Sequence, residues 1–206
     1  MTRLKIFAKR NRVSCMAALL CMSAFPAAWS QSVQQPWTTV GAAGTPDTAS
    51  LLLVGYGNPI PESSDAPPMD YGAVTFQPIA FGTVNLRYNV VSVPGILNTT
   101  VSMTARYLSQ GTNGRVVVTL NRYNLAQGTT TTLLTLDSNS QPFSGAFQVR
   151  STGECGGATL DFTQNSYYVE VSMTRTATSP FQIITSPFAA RPALGMVQLS
   201  PAICIQ

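Results

Sequence analysis

The sequence predicts an all-β fold, two packed antiparallel sheets forming a sandwich of jelly-roll or immunoglobulin-like kind. Three observations carry this expectation. From residue 71 onward apolar residues recur at every second position, as a pleated strand with one buried face requires. Turn-forming clusters such as Gly111-Thr112-Asn113-Gly114, Asp137-Ser138-Asn139-Ser140 and Gly156-Gly157 stand between nearly all of these segments. Beyond residue 30, no window of helical length carries a helical stripe. Short half-buried strands at such intervals fit both sandwich topologies.

In chain order, the first thirty residues read as a cleavable secretory signal peptide. Arg3, Lys5, Lys9, Arg10 and Arg12 precede an apolar run from Val13 to Phe25, too short to span a bilayer. Pro26 breaks the run, and Ala28 and Ser30 supply the small residues of a cleavage site after Ser30. Leu20 is too large for lipoprotein processing at Cys21, and no Arg-Arg pair marks a twin-arginine leader. The long charged start leans towards a bacterial precursor. The expected address is therefore outside the cytoplasm: periplasm, cell surface or medium.

Residues 31–70 read as an irregular Pro/Gly-rich segment, with Leu51-Leu52-Leu53-Val54 as a short early strand candidate. Residues 71–206 read as the sandwich. Val84, Leu86, Tyr88 and Val90 alternate with Asn85, Arg87 and Asn89, and Val101, Met103, Ala105 and Tyr107 alternate with Ser102, Thr104 and Arg106. Further strands are predicted at 116–120, 131–136, 147–149, 159–162, 167–173, 181–184 and 196–199, with a hairpin turn ending at Gly128. An outer-membrane barrel also alternates at period two. Its tilted strands need about ten residues each and aromatic girdles at their ends, and neither pattern is visible in the sequence.

Charge and composition exclude whole chemistries. The chain of 206 residues has a formal charge of +4, but once the leader is removed seven arginines face eight carboxylates, a net charge of about −1. Nucleic acid and anionic membranes both need clustered positive charge, so neither is an expected partner. Histidine is absent and both lysines lie in the leader. Catalysis by imidazole-activated Ser or Cys nucleophiles and by a Lys amine is thereby removed, and a closed zinc site has too few ligands. No cofactor is expected, and the chain is read as a non-enzyme.

Cys15 and Cys21 fall in the leader, which leaves Cys155 and Cys204 as the pair expected to form a disulfide in an exported chain. A closed loop of roughly fifty residues corresponds to about 4 kcal/mol on the chain-entropy model.

Candidate sites are few. Arg122 continues the apolar row of Val116, Val118 and Leu120, and Arg175 that of Tyr167 to Met173. Two guanidiniums at a sandwich rim could fork onto a ligand carboxylate or sulfate, although stems that snorkel along the core edge are the simpler reading. Tyr168, with Glu170 beside it, falls on the face opposite Tyr167 and offers a ring on which a sugar could stack; a strand-forming tyrosine on half-exposed sheet is the plainer alternative. Glu62, Asp65 and Asp70 lack the spacing of a calcium loop. The functional expectation is an exported, non-enzymatic binding or surface-structural domain whose partner is a carbohydrate or another envelope protein. Two alternatives stand beside it: a carboxylate-based glycoside hydrolase using Asp161 and Glu170, and an assembly subunit donating a strand from residues 31–56.

Overall fold

The computed structural model of the chain describes residues 35–56, 72–77, 80–109, 113–142, 144–176 and 191–203. The chain divides into two units, 1–32 and 33–206; the first lies outside the described residues, as do Glu62, Asp65, Asp70, the 181–184 strand prediction and Cys204.

Twelve strands lie in the described residues: β1 (Trp37–Val40), β2 (Thr45–Pro46), β3 (Val54–Tyr56), β4 (Val74–Phe76), β5 (Gly82–Val90), β6 (Thr100–Ser109), β7 (Gly114–Asn124), β8 (Thr129–Asp137), β9 (Ser144–Thr152), β10 (Ala158–Thr159), β11 (Asn165–Arg175) and β12 (Ala193–Pro201). One sheet runs β2-β5-β11-β7-β8. In the other, β12 lies between β6 and β4, β9 and β10 line the far side of β6, and β1 extends β12 while β3 extends β4. All described pairings are antiparallel.

This strand order resolves the topology that the sequence leaves open. Following the chain from β4 to β12, β4, β6, β9 and β12 enter one sheet and β5, β7, β8 and β11 the other, giving β4-β12-β6-β9 against β5-β11-β7-β8. That is the jelly roll of two Greek keys.

The period-two pattern dictates the core. Along β11, Tyr167, Val169, Val171 and Met173 are buried while Tyr168, Glu170, Ser172 and Thr174 are only partly so. Val84, Leu86, Tyr88 and Val90 of β5 and Val116, Val118 and Leu120 of β7 complete the inner face of the five-stranded sheet. Val101, Met103, Ala105 and Tyr107 of β6 and Val197 and Leu199 of β12 meet them from the other side. Burying each such aliphatic side chain contributes roughly 1.5–3 kcal/mol before the cost of ordering it.

Several features differ from the sequence reading: residues 51–53 form a turn ahead of β3, and of the strand expected over 159–162 only Thr159 lies in β10. Strands β5 to β9, β11 and β12 run 9–11 residues, longer than the alternation indicates. Their length would suit a membrane barrel, but their apolar rows face inward between two sheets and their outer rows are polar, the reverse of a lipid-facing surface. In addition, the stretch read as irregular supplies β1, β2 and β3. Trp37 to Val40 pair with Leu199 to Met196, so this part of the suggested donor strand is spent within its own sheet.

Candidate functional site

The outer face of the five-stranded sheet gathers polar side chains into rows, because antiparallel register sets directly paired residues on the same face. One row crosses all five strands: Thr45, Arg87, Glu170, Thr119 and Thr135. The adjacent row holds Asn89, Tyr168, Asn121 and Thr132. Where the rows meet, the Arg87 guanidinium lies 4.3 Å from the centre of the Tyr168 ring and covers one of its faces. The Glu170 carboxylate and the Asn89 amide make no side-chain hydrogen bond within the described residues.

A rigid wall flanks this face. Asp47 accepts from the Ser50 amide at 2.8 Å and from Asn85 Nδ2 at 3.1 Å, while the Asn85 amide donates to Ser50 Oγ at 2.8 Å. The Ser50 and Asn85 bonds hold the Asp47 carboxyl below its usual range. The Gly41–Gly44 turn is anchored by Tyr88, whose buried hydroxyl donates to Gly41 O at 2.6 Å; burial pushes that phenol well above its ordinary range. Gly44 permits the contact, since a Cβ there would stand 2.4 Å from the Tyr88 ring.

Between wall and sheet lies a cleft of ≈ 390 Å³ lined by Thr45, Pro46, Asp47, Asn85, Arg87 and Glu170, among others. A second, of ≈ 290 Å³, lies between β1 and β5 and includes Trp37, Thr39, Tyr88 and Asn89. Thr45 and Arg87 line both.

The sequence-predicted residues are distributed unevenly over this frame. Tyr168 and Glu170 sit at its centre. Arg122 pairs with Tyr167 at one end of β11, and Arg175 pairs with Gly82 and Gly114 at the other, roughly 27 Å away at strand rise. One ligand group cannot therefore be forked by both. Arg175 is 6% exposed, lies 4.7 Å over the Phe81 ring and donates to Ala80 O at 3.1 Å; burial, then Arg191, lowers its pKa. It closes the sandwich end. Arg122 is half-buried, and its Nε is enclosed with no hydrogen-bond partner among the described residues.

Asp161 and Glu170 do not face each other. The Tyr167 hydroxyl, on the core side of β11, binds Asp161 N and O, whereas Glu170 lies on the outer side. The Thr163 hydroxyl and amide lower the Asp161 pKa, the reverse of what a general acid needs. Cys155 is disulfide-bonded and sits in the exposed Glu154–Gly156 turn. Among the described residues no group of three or more His, Cys, Asp or Glu could hold a metal, and no helix is long and apolar enough to cross a membrane.

Sequence reasoning did not single out Arg87, Asn85, Asn89 and Asp47. The alternation of β5 places the first three on an outer face, but only the β5–β11 pairing brings Arg87 to Tyr168.

No protein-family model and no curated protein matches the sequence. Among solved structures, the chain is similar to the C-terminal family 6 carbohydrate-binding module of a marine laminarinase from Zobellia galactanivorans, at 10% identity, covering 81% of this chain and 99% of that one, with a TM-score of 0.41. It is also similar to the C-terminal family 22 module of Clostridium thermocellum Xyn10B (10% identity, 86% and 92% covered, TM-score 0.40) and to a family 35 module from the same organism (12%, 82% and 99%, 0.37). The jelly-roll assignment itself rests on the strand order.

Proposed function

We propose that this chain is an exported, non-enzymatic binding domain that recognises a glycan on the outer face of its five-stranded sheet. The observation that carries the proposal is the juxtaposition of Tyr168, Arg87, Glu170 and Asn89 beside the ≈ 390 Å³ cleft. A sugar offers an apolar C–H face and an edge of hydroxyls. The partly exposed Tyr168 ring suits the face, while a planar guanidinium, a carboxylate and an amide with unspent hydrogen-bonding capacity suit the edge. The walls are held by backbone and side-chain bonds before any ligand arrives, which keeps the ordering cost of binding low. The opposed placement of Asp161 and Glu170 favours binding over hydrolysis.

Export is supported by the basic–apolar–small pattern of residues 1–30 and by the bonded state of Cys155. Cys204 is the proposed partner of Cys155. Ala202 N donates to Thr100 O at 2.9 Å and Ala158 pairs with Val101, so described residues two and three positions from the two cysteines meet the start of β6. Non-reducing peptide mapping that found Cys155 joined to another residue would remove this pairing.

A glycan array probed with the purified protein, followed by calorimetry on the strongest hit, tests the function. Binding that weakens about tenfold in Tyr168→Ala or Arg87→Ala supports it. A silent array, binding indifferent to both substitutions, or turnover of any bound glycan overturns it.

A further inference from the structure

The described edges of the two sheets are guarded unequally. β2 is two residues long and contains Pro46, β10 has two residues, β3 three and β1 four. β9 carries Arg150 and shifts register between Tyr107 and Ser109 of β6. Short strands, proline, charge and bulges are the ordinary protections of a strand edge. β8 ends the five-stranded order yet spans nine residues, and Thr129 to Leu136 contain neither charge nor proline. Its register shift falls between its pairings with Leu120 and Asn121, which leaves Thr129–Thr132 as a regular run beyond the irregularity. All four of these threonines are exposed. β-branched residues on an unpaired edge favour accepting another strand.

We propose that this edge pairs with the same edge of a second copy, joining two five-stranded sheets about a two-fold axis. The occupant follows from the strand itself. In antiparallel self-pairing a two-fold axis passes through a residue facing its own copy, and Thr130 and Thr131 are the positions that keep the contact within the threonine run. Centred on Thr131, the pairing sets Thr130 against Thr132 and Thr129 against Leu133. No like charges meet, since Asp137, the single charge on the strand, is engaged by Arg115 and falls outside the contact. Cross-strand threonine pairs and newly satisfied backbone groups supply the attraction. The outer face bearing Tyr168 stays open, and two such faces are placed on one continuous sheet.

Light scattering coupled to size exclusion tests this on the purified protein, with no ligand required. The expected mass is twice that of one chain, reverting to one in Thr131→Lys, where two ammonium groups would meet across the axis, with an unchanged melting temperature showing that the fold is kept. Thr130→Cys or Thr131→Cys should form an intermolecular disulfide under mild oxidation, whereas Thr83→Cys on exposed β5 should not. A single-chain mass at every concentration, or a dimer that survives Thr131→Lys and crosslinks at neither threonine, overturns the proposal. Glycan binding by either form leaves it untouched, so the two proposals fail separately.

Discussion

The two outer faces of the sandwich are both rich in hydroxyls and amides, yet they differ in how much of that capacity is already used. On the seven-stranded side, one row crosses β1, β12, β6 and β9 as Thr38, Gln198, Thr104 and Ser151. Gln198 donates to Thr38 at 3.1 Å, Thr104 and Ser151 share a 2.8 Å bond, and Ser102 meets Ser200 at 3.3 Å. These groups satisfy one another. On the five-stranded side, bonds of this kind lie around the centre, as in Thr83 with Thr174 and Asn121 with Thr132, while Glu170 and Asn89, each lining a cleft, have no side-chain hydrogen-bond partner among the described residues. A polar surface becomes a recognition surface where its donors and acceptors remain unspent and its walls are fixed.

The largest expected effect tests the fixed wall. Tyr88→Phe removes the 2.6 Å bond to Gly41 O and leaves that buried carbonyl with only the longer 3.3 Å bond from Gly44 N, at about 2 kcal/mol. For a domain of this size the melting temperature should fall by ~4–8 °C. Binding should weaken with it, since the turn joins β1 and β2, which line the clefts. A melting curve identical to that of the parent would show that the wall is held by something else.

Next in size is a contrast between two similar stacks. Arg87 covers Tyr168 on one face of the molecule, and Arg106 lies 4.2 Å over Phe147 on the other. Arg87→Ala should weaken the array hit about tenfold, roughly 1.4 kcal/mol, whereas Arg106→Ala should leave it unchanged. Equal losses from both would erase the distinction between the faces.

A third prediction uses pH. Arg115 forks onto Asp137 and, with the Asn139 amide, holds its carboxyl below the ordinary value against a smaller effect of burial. A depressed folded-state pKa contributes stability above the unfolded value near 3.9 that is lost as pH falls through the folded value. Asp137→Asn should therefore cost about 1 kcal/mol at neutral pH, discounted for solvent screening, and nothing once both states are protonated. Melting temperatures of parent and variant that keep a constant gap from pH 7 into strong acid would contradict this assignment.

What the sequence made legible follows from which interactions are local. The alternation of Tyr167, Val169, Val171 and Met173 announces a half-buried strand because the pleat alone enforces it. Tyr168 and Glu170 were visible as outward residues on the same grounds. Arg87 was not, because its role depends on β5 pairing with β11 across 83 residues at Arg87 and Glu170. The jelly-roll order is likewise long-range, since each strand announces its own face but not its neighbour. Residues 37–56 looked irregular because their strands have two to four residues, too short to display a period, and they owe their form to β12, β4 and β5. Arg122 pairs with Tyr167, and Arg175 with Gly82 and Gly114. Their distance apart is a matter of strand length, which the eight steps of β11 from Tyr167 to Arg175 make decisive.

A contrast between two threonines separates the two faces most finely. Thr104 shares its hydroxyl with Ser151 in an exposed pair, so Thr104→Val leaves Ser151 free to bond water and should cost at most about 0.5 kcal/mol. Thr132 donates at 2.8 Å to Oδ1 of Asn121, a residue only 4% exposed, and Thr132→Val leaves that acceptor without its protein donor. Its cost should be larger, about 1–2 kcal/mol. The same chemical change on two neighbouring sheets thus reads out burial of the partner, not the number of bonds. Chemical denaturation of the two variants decides the matter: equal shifts in midpoint would mean that Asn121 reaches water as easily as Ser151, and that the rim of the proposed binding face is no more preformed than the opposite surface.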